Sequence, residues 1–462
     1  EGAYGYGADN SSYNPSVSGD GQYVAFDSNA TNLVPGTTGA YRDVYLYDTV
    51  AGTTELISAR YGGYGGNGYG GNNRSDYPSI SFDGRYVAFQ SRADDLVYSP
   101  PPADRVEIAP TTYNVFIRDT QAGTTTQVMA YGGAEPNSQL QYPAISGDGS
   151  AVAFLSSATN LMAANNPTNY QNVFVYDTAT GTIELVSRNY QGYSSGYYGG
   201  DNSSFQIAIS YGGRYVAFAS DADNLIANEE ESKEDGPAPE VSFEPESSTQ
   251  VYVYDRLSGE MVLVSAVDGE TTPGDNSSTE PDISDDGRYV AFESHACNLT
   301  SPSACNSGSP SIEGTSSTDM IYLRDTVTQT TTLMSRIDND VAGYGAGVYG
   351  AGGSYPVVSA CGMYVAFESS NDYIVADGNP GSGIAVTEDG GTTDVFRVIN
   401  DTDGDGIAET DSDGDGIPDC VDEDPDNAEE DDVSASSGSG AGGGFSDSST
   451  VTTCFIDTAY MK

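Results

Sequence analysis

The densest chemistry in the sequence lies between residues 401 and 422, where two Asp-x-Asp-Gly-Asp-Gly units stand ten residues apart. Carboxylates at alternate positions converge on one hard cation when glycine lets the backbone wrap around it. In the second unit Asp411, Asp413 and Asp415 are the first three oxygen ligands. Ile417 offers its carbonyl, and Asp419 and Asp422 fall at the later positions of a twelve-residue loop. The first unit offers Asp401, Asp403, Asp405, the Ile407 carbonyl and Glu409, and its twelfth position is Ser412, so it borrows Asp411 or Asp413. The spacing points to calcium. A plain acidic linker is the competing reading, but it does not explain why Gly and Ile recur in register. Mutual repulsion would leave the stretch floppy without metal and a short stiff rod with it.

Other reactive residues are few. Of five cysteines, Cys297 and Cys305 enclose a short loop and form the best candidate disulfide. The sequence leaves Cys361, Cys420 and Cys454 unassigned, and a bond to Cys454 would lock the terminal segment covalently. The single histidine, His295, follows a strand-like run beside Cys297 and reads as a loop residue rather than a catalytic base. There is no nucleophile elbow and no zinc spacing. Carboxylates able to act as a glycosidase pair are lost among 68 acidic residues. The expectation is a protein that is not an enzyme.

Charge narrows the partners. Against 68 acids stand 16 bases, a net charge of −52 over 462 residues. Phosphate-rich partners would be repelled, which argues against nucleic acid and anionic lipid. Such charge suits an acidic secreted protein, or a saline habitat. The chain opens on Glu1, as a mature product does after signal-peptide removal. No run of eighteen apolar residues is present, so no membrane span is expected. Seven Asn-x-Ser/Thr sequons, at Asn10, Asn29, Asn73, Asn202, Asn276, Asn298 and Asn400, permit surface glycosylation. With the cysteines, these features place the chain outside the cell or on its surface.

The elements that must carry this chemistry are repeated. A frame of four strand-like runs recurs six times at roughly 60 to 80 residues, a period suited to a propeller blade with long loops. In the second copy, residues 77–81 form a short strand, Asp83-Gly84 marks a primed hairpin turn, and 86–91, 114–119 and 124–130 are three more strands. The Tyr-Val-Ala-Phe element stands at Tyr23, Tyr86, Tyr215, Tyr289 and Tyr364, with Ala151-Val152-Ala153-Phe154 as its variant. No segment has helical periodicity. Tyr/Gly-rich stretches at 60–73, 190–202 and 343–354 read as blade-joining loops on one rim, either plain connectors or a tyrosine surface for sugars or another subunit.

The Ser-x-Asp-Gly-Arg-Tyr-Val-Ala-Phe frame, followed by Val-Phe-Val-Tyr-Asp and Gly-Thr, resembles the WD-like repeats of TolB-type six-bladed propellers over residues 11 to 400. That likeness implies an all-β fold and says little of function. The 401–427 segment resembles the calcium repeats of thrombospondin type-3 modules, without the flanking helices of an EF-hand.

The expected organisation is a propeller over 1–400, with blades near 11–71, 72–136, 137–200, 201–274, 275–353 and 354–400. A calcium segment at 401–427, an acidic then Ser/Gly-rich linker at 428–448, and a strand at 449–462 follow. The sixth copy lacks its fourth strand, and the run Thr452-Thr453-Cys454-Phe455-Ile456-Asp457-Thr458-Ala459-Tyr460 reads like the missing piece beside Thr53-Thr54-Glu55-Leu56-Ile57-Ser58. Residues 1–10 resemble only the loop that follows a fourth strand elsewhere. Two closures follow. The strand fills the sixth blade of a neighbour, giving a head-to-tail fibre, or it closes its own ring as a monomer that binds glycan or protein. The first better explains why a four-residue turn is replaced by some fifty residues.

Overall fold

The computed structural model describes residues 7–35, 41–62, 69–98, 112–163, 170–190, 199–226, 248–300, 319–336, 352–369 and 394–400. These residues form strands and one short 3-10 turn, Tyr131–Gly133. Blade one is β1 (Ser12–Val17), β2 (Tyr23–Ser28), β3 (Asp43–Asp48) and β4 (Thr53–Leu56). Blade two is β5 (Ser75–Ile80), β6 (Tyr86–Ser91), β7 (Asn114–Asp119) and β8 (Thr124–Gln127). Blade three is β9 (Leu140–Ile145), β10 (Ala151–Ser156), β11 (Asn172–Asp177) and β12 (Ile183–Leu185). Blade four is β13 (Ser204–Ile209), β14 (Tyr215–Ser220), β15 (Gln250–Asp255) and β16 (Glu260–Leu263). Blade five is β17 (Ser278–Ile283), β18 (Tyr289–Ser294), β19 (Met320–Asp325) and β20 (Thr330–Leu333). Among the described residues blade six has β21 (Ser354–Val358), β22 (Tyr364–Ser369) and β23 (Asp394–Ile399). Each sheet is an antiparallel meander in chain order, and together they make a six-bladed β-propeller.

The hairpin between the first two strands of a blade differs from the primed two-residue turn that Asp-Gly suggests. In blade two the Ser81 N–H donates to Tyr86 O at 2.9 Å, and the Gly84 N–H donates to Ser81 O at 3.0 Å. Gly84 has φ +71° while Asp83 does not enter the left-handed region. The aspartate acts through its side chain instead: Asp83 Oδ1 accepts from Ser81 Oγ at 2.7 Å and from the Arg85 N–H at 2.9 Å. A four-residue loop with one left-handed glycine is the result. That glycine also faces a neighbouring blade, because a Cβ on Gly84 would fall on the Tyr23 ring of blade one.

The alternation of side chains along the second and third strands divides each blade into two faces. The valine and phenylalanine of the second strand, with the aromatic directly opposite on the third, face the preceding blade. Phe89–Phe116, Phe154–Phe174, Phe218–Tyr252 and Phe292–Tyr322 stack at 5.8–5.9 Å in this way. The small alanine of the second strand, two residues of the third and one beyond the fourth face the next blade. Between blades one and two, Ala25, Val44, Leu46 and Ile57 thus meet Val87, Phe89 and Phe116. The same pairing of faces builds the cores between blades two and three, three and four, four and five, and five and six. Burying one such side chain stabilises the ring by roughly 1.5–3 kcal/mol.

Candidate functional site

Three regions position chemistry: the axial channel, the rim where the second strands end, and the seam between blades six and one.

The channel is lined by the first strand of each blade, and each of these strands carries one residue in the left-handed region. They are Asn14, Tyr77, Tyr142, Gln206, Glu280 and Tyr355, with φ between +48° and +53°. In each blade the pairing register slips at this point. Five of the six are followed by proline, a residue that sheets accept at bulges because it cannot donate to the ladder. Polar side chains stabilise the bulges across blades. The Tyr142 N–H donates to Gln90 Oε1 at 2.9 Å, and the Glu280 N–H donates to Gln206 Oε1 at 3.1 Å. Gln206 Nε2 in turn donates to Glu280 Oε1 at 2.6 Å, and the Tyr77 and Tyr142 rings meet edge to face at 4.9 Å. A cavity of about 240 Å³ opens beside Tyr142, Gln206, Glu280, Asp282 and Tyr355. Sequence reading missed this ring, although the repeated proline inside a first strand is a signal for it.

At the other end of the channel the inter-strand turns bond to one another. The Gly19 N–H donates to Phe82 O, Phe82 N–H to Gly147 O, and Asp285 N–H to Ala360 O. Phe82 and Tyr211 stack edge to face at 5.5 Å over this end. Burial, then the charge of Asp286, pushes Asp285 up to about 6.

The rim on the far side of the strands carries charge in an uneven way. Arg42 pairs with Asp27 at 3.1 Å, and Arg74 with Asp76. Burial raises both carboxyls, Asp27 to about 6. In blade five the same rim holds Glu293, His295 and Asp319, with His295 Nε2 against Asp319 Oδ1. Burial, then the charges of Asp319 and Glu280, pushes Glu293 up to about 7. His295 stands directly after β18, outside the strand, as its place in the sequence suggested.

The seam differs from every other blade contact. The valines and phenylalanines that face the preceding blade in blades two to six are at most 1% exposed, for example Val87, Phe89, Phe292 and Phe367. Their counterparts in blade one, Val24 and Phe26, are only half-buried. Among the described residues, the cluster around Phe26, Ala30, Leu33, Tyr45 and Leu56 contains blade-one side chains alone. Blade six mirrors this on the face that should meet blade one. Val395 is 65% exposed, whereas Val44, Val115, Val173, Val251 and Ile321 at the same position are 0% exposed. Arg397 is exposed where Leu46 and Leu323 are buried. Among the described residues no strand pairs with the outer edge of β23.

The metal ligands expected at Asp401, Asp403, Asp405, Ile407, Glu409, Asp411, Asp413, Asp415, Ile417, Asp419 and Asp422 lie outside the described residues, as does the run Thr452 to Tyr460. Cys297 is disulfide-bonded, while Cys305 lies outside the described residues. Cys361, in the first turn of blade six, is disulfide-bonded as well.

No protein-family model and no curated protein matches the sequence. Among solved structures the chain is similar to TolB from Acinetobacter baumannii at 15% identity and a TM-score of 0.34, over 70% of this chain and 53% of that one. It thus spans about half the length of that protein. A TolB-type structure from Agrobacterium tumefaciens is similar at 14% identity and TM-score 0.34, over 70% and 81% of the two chains. An oligogalacturonate lyase from Vibrio parahaemolyticus is similar at 11% identity and TM-score 0.42, over 80% and 74%. At these values the likeness is one of general architecture, and the six-bladed propeller stands on the strand pairing described above.

Proposed function

We propose that the protein is an extracellular structural subunit that assembles head to tail, its 452–460 run filling the sixth blade of the next copy. One observation carries the reading: among the described residues blade six has three strands, and at its seam with blade one Val395 is exposed while Val24 and Phe26 are only half-buried. A β-strand laid on β23 would satisfy an open row of backbone groups. Its Phe455 would stand where Leu56 closes the fourth strand of blade one, and Ile456 where Ile57, Val128, Val186, Val264 and Met334 follow that strand in the complete blades. Residues 400–451 separate β23 from this run. An extended chain covers at most about 3.3–3.6 Å per residue, so the connection is long enough to reach a neighbour, and calcium held by 401–422 would stiffen it. The contact is heterologous and does not close, so it propagates. The role requires no catalysis, and we assign none.

A second reading has a specific observation in its favour. The tyrosine-lined cavity at the channel mouth suits a sugar or peptide ligand, which fits a monomeric, calcium-binding propeller closed by its own terminal strand.

Electron microscopy and size-exclusion chromatography of the full chain, with millimolar calcium and with chelator, separate the two. Filaments that vanish when 449–462 is deleted support the assembly. A full-length protein that stays monomeric with calcium overturns it.

A further inference from the structure

The rim of blade five holds a constellation that the assembly does not use. β18 and β19 pair with Ser294 opposite Met320 and Glu293 opposite Ile321. One step further, that register sets His295 opposite Asp319. Alternation along the strand puts Glu293 and His295 on the same face. His295 directly follows β18 and Asp319 directly precedes β19, and with Glu293 of β18 the three side chains meet at one point. His295 Nε2 touches Asp319 Oδ1, and the ligand-type atoms of Glu293, His295 and Asp319 all lie within 4.8 Å of one another.

The equivalent positions elsewhere carry different chemistry. Blade one has Asp27, Asn29 and Arg42, where the carboxylate is neutralised by the guanidinium at 3.1 Å. Blade two has Gln90, Arg92 and Tyr113, with Arg92 lying over the Tyr113 ring at 4.3 Å. Blade four has Ala219, Asp221 and Thr249, and the threonine hydroxyl donates to the aspartate at 2.6 Å. Blade five alone, among the described residues, gathers three groups that ligate metals, and it does so around the one histidine of the chain. Glu280 of the channel ring stands close enough to add its charge to the same spot.

We propose that Glu293, His295 and Asp319 form a site for a borderline divalent cation of the zinc class, with water completing the coordination. One imidazole nitrogen and two carboxylate oxygens match the ligands such ions take at about 2.0–2.2 Å. Calcium and magnesium prefer oxygen-only shells, so the histidine separates this site from the Asp/Gly segment. The side chain of His295 is 43% exposed, which leaves an entry path and room for the short movement that coordination requires.

The test is equilibrium dialysis of the full chain with zinc, and with cobalt for its visible absorption, in millimolar calcium to saturate oxygen-only sites. The expected result is one equivalent bound, with a cobalt spectrum that reports nitrogen ligation. His295→Gln should weaken binding at least about tenfold, as the loss of supporting residues around a metal alone does, and Glu293→Gln should weaken it too. A double variant, Asp413→Asn with Asp415→Asn, should leave this equivalent unchanged. Because His295 is half-exposed, circular dichroism should show the His295→Gln chain folded. No bound equivalent, or binding that His295→Gln leaves intact while the double variant removes it, overturns the site. Neither outcome bears on filament formation.

Discussion

Blades five and six are built from the same second strand, Tyr289-Val290-Ala291-Phe292-Glu293-Ser294 and Tyr364-Val365-Ala366-Phe367-Glu368-Ser369. Both stack the phenylalanine on an aromatic of the third strand, at 5.8 and 6.1 Å. On the face toward the preceding blade they are equally dry. Toward the next blade they part: Ile321 and Leu323 are buried under blade six, while Val395 and Arg397 stand in solvent. The residue types hardly explain this, since Val395 is as apolar as the buried valines of blades one to four. What differs is the cover. Blade five has a fourth strand and a blade packed on it, and blade six has neither among the described residues. Among the described residues the seam thus holds both an unpaired strand edge and an exposed apolar side chain at one place.

The largest effect should come from the phenylalanine. Phe292→Ala removes a fully buried ring and should cost about 3–5 kcal/mol. Phe26→Ala, at the half-covered seam, should cost about half that in chain lacking 449–462. Urea denaturation of the two variants checks this, and equal costs would show that the seam is as closed as any other contact.

Glycine turns sharpen the same contrast. A Cβ on Gly287, at φ +77°, would lie 2.1 Å from the Tyr215 ring of the preceding blade. Gly287→Ala should therefore cost about 2–4 kcal/mol through combined strain and overpacking. Gly52, at φ +65°, has open space around it, so Gly52→Ala should cost about 1 kcal/mol. Thermal unfolding of both distinguishes packing from backbone strain.

Titration asks whether blade one is dry on its other side. Asp43 is buried against Ser58, whose hydroxyl donates to it at 2.7 Å, and burial pushes its carboxyl up to about 7. Between pH 4 and 7 the folded chain keeps a proton that the unfolded chain has released, so this group lowers stability as pH rises through that window. Blade three places the neutral Asn172 on Ser187 in the same way, at 3.0 Å. Asp43→Asn should remove that slope and raise stability at pH 8 by about 1–3 kcal/mol. Asp255 behaves oppositely. The Arg214 guanidinium, with the Leu257 N–H and the Ser258 hydroxyl, holds it well below the usual carboxylate range, so its contribution is present above pH 4 and is lost on acidification. Denaturation midpoints at pH 5 and pH 8 test the first sign, and midpoints at pH 2 and pH 5 test the second.

The smallest effect belongs to Val395. With its side chain in solvent, Val395→Ala should shift the stability of strand-free protein by less than about 0.5 kcal/mol. The same change should loosen filaments, read as a shorter lifetime after dilution. A large effect on the monomer would mean that this face is already covered.

Much of the architecture could be read directly. Tyr-Val-Ala-Phe runs, Asp-Gly turns and third strands such as Asn114–Asp119 fell where their patterns put them, because strand alternation and turn chemistry are local. The turn type did not follow, since the Asp83 side chain caps the loop instead of entering the left-handed region. The ring from Asn14 to Tyr355 escaped notice because a bulge is set by pairing with another strand. His295 could be counted but not placed, for its partner Asp319 directly precedes the facing strand and only the register of β18 and β19 brings them together.

The sequence alone determined that this chain is a sixfold repeat of short strands, strongly acidic, whose sixth copy runs into an Asp/Gly stretch where the others have a fourth strand-like run. Those properties rest on composition and on the order of residues along the chain. Only the tertiary structure decided that Val395 is exposed while Ile321 is buried, and that Glu293, His295 and Asp319 share one point. Burial and convergence depend on what packs across from a side chain, and this is fixed by the closing of blade on blade.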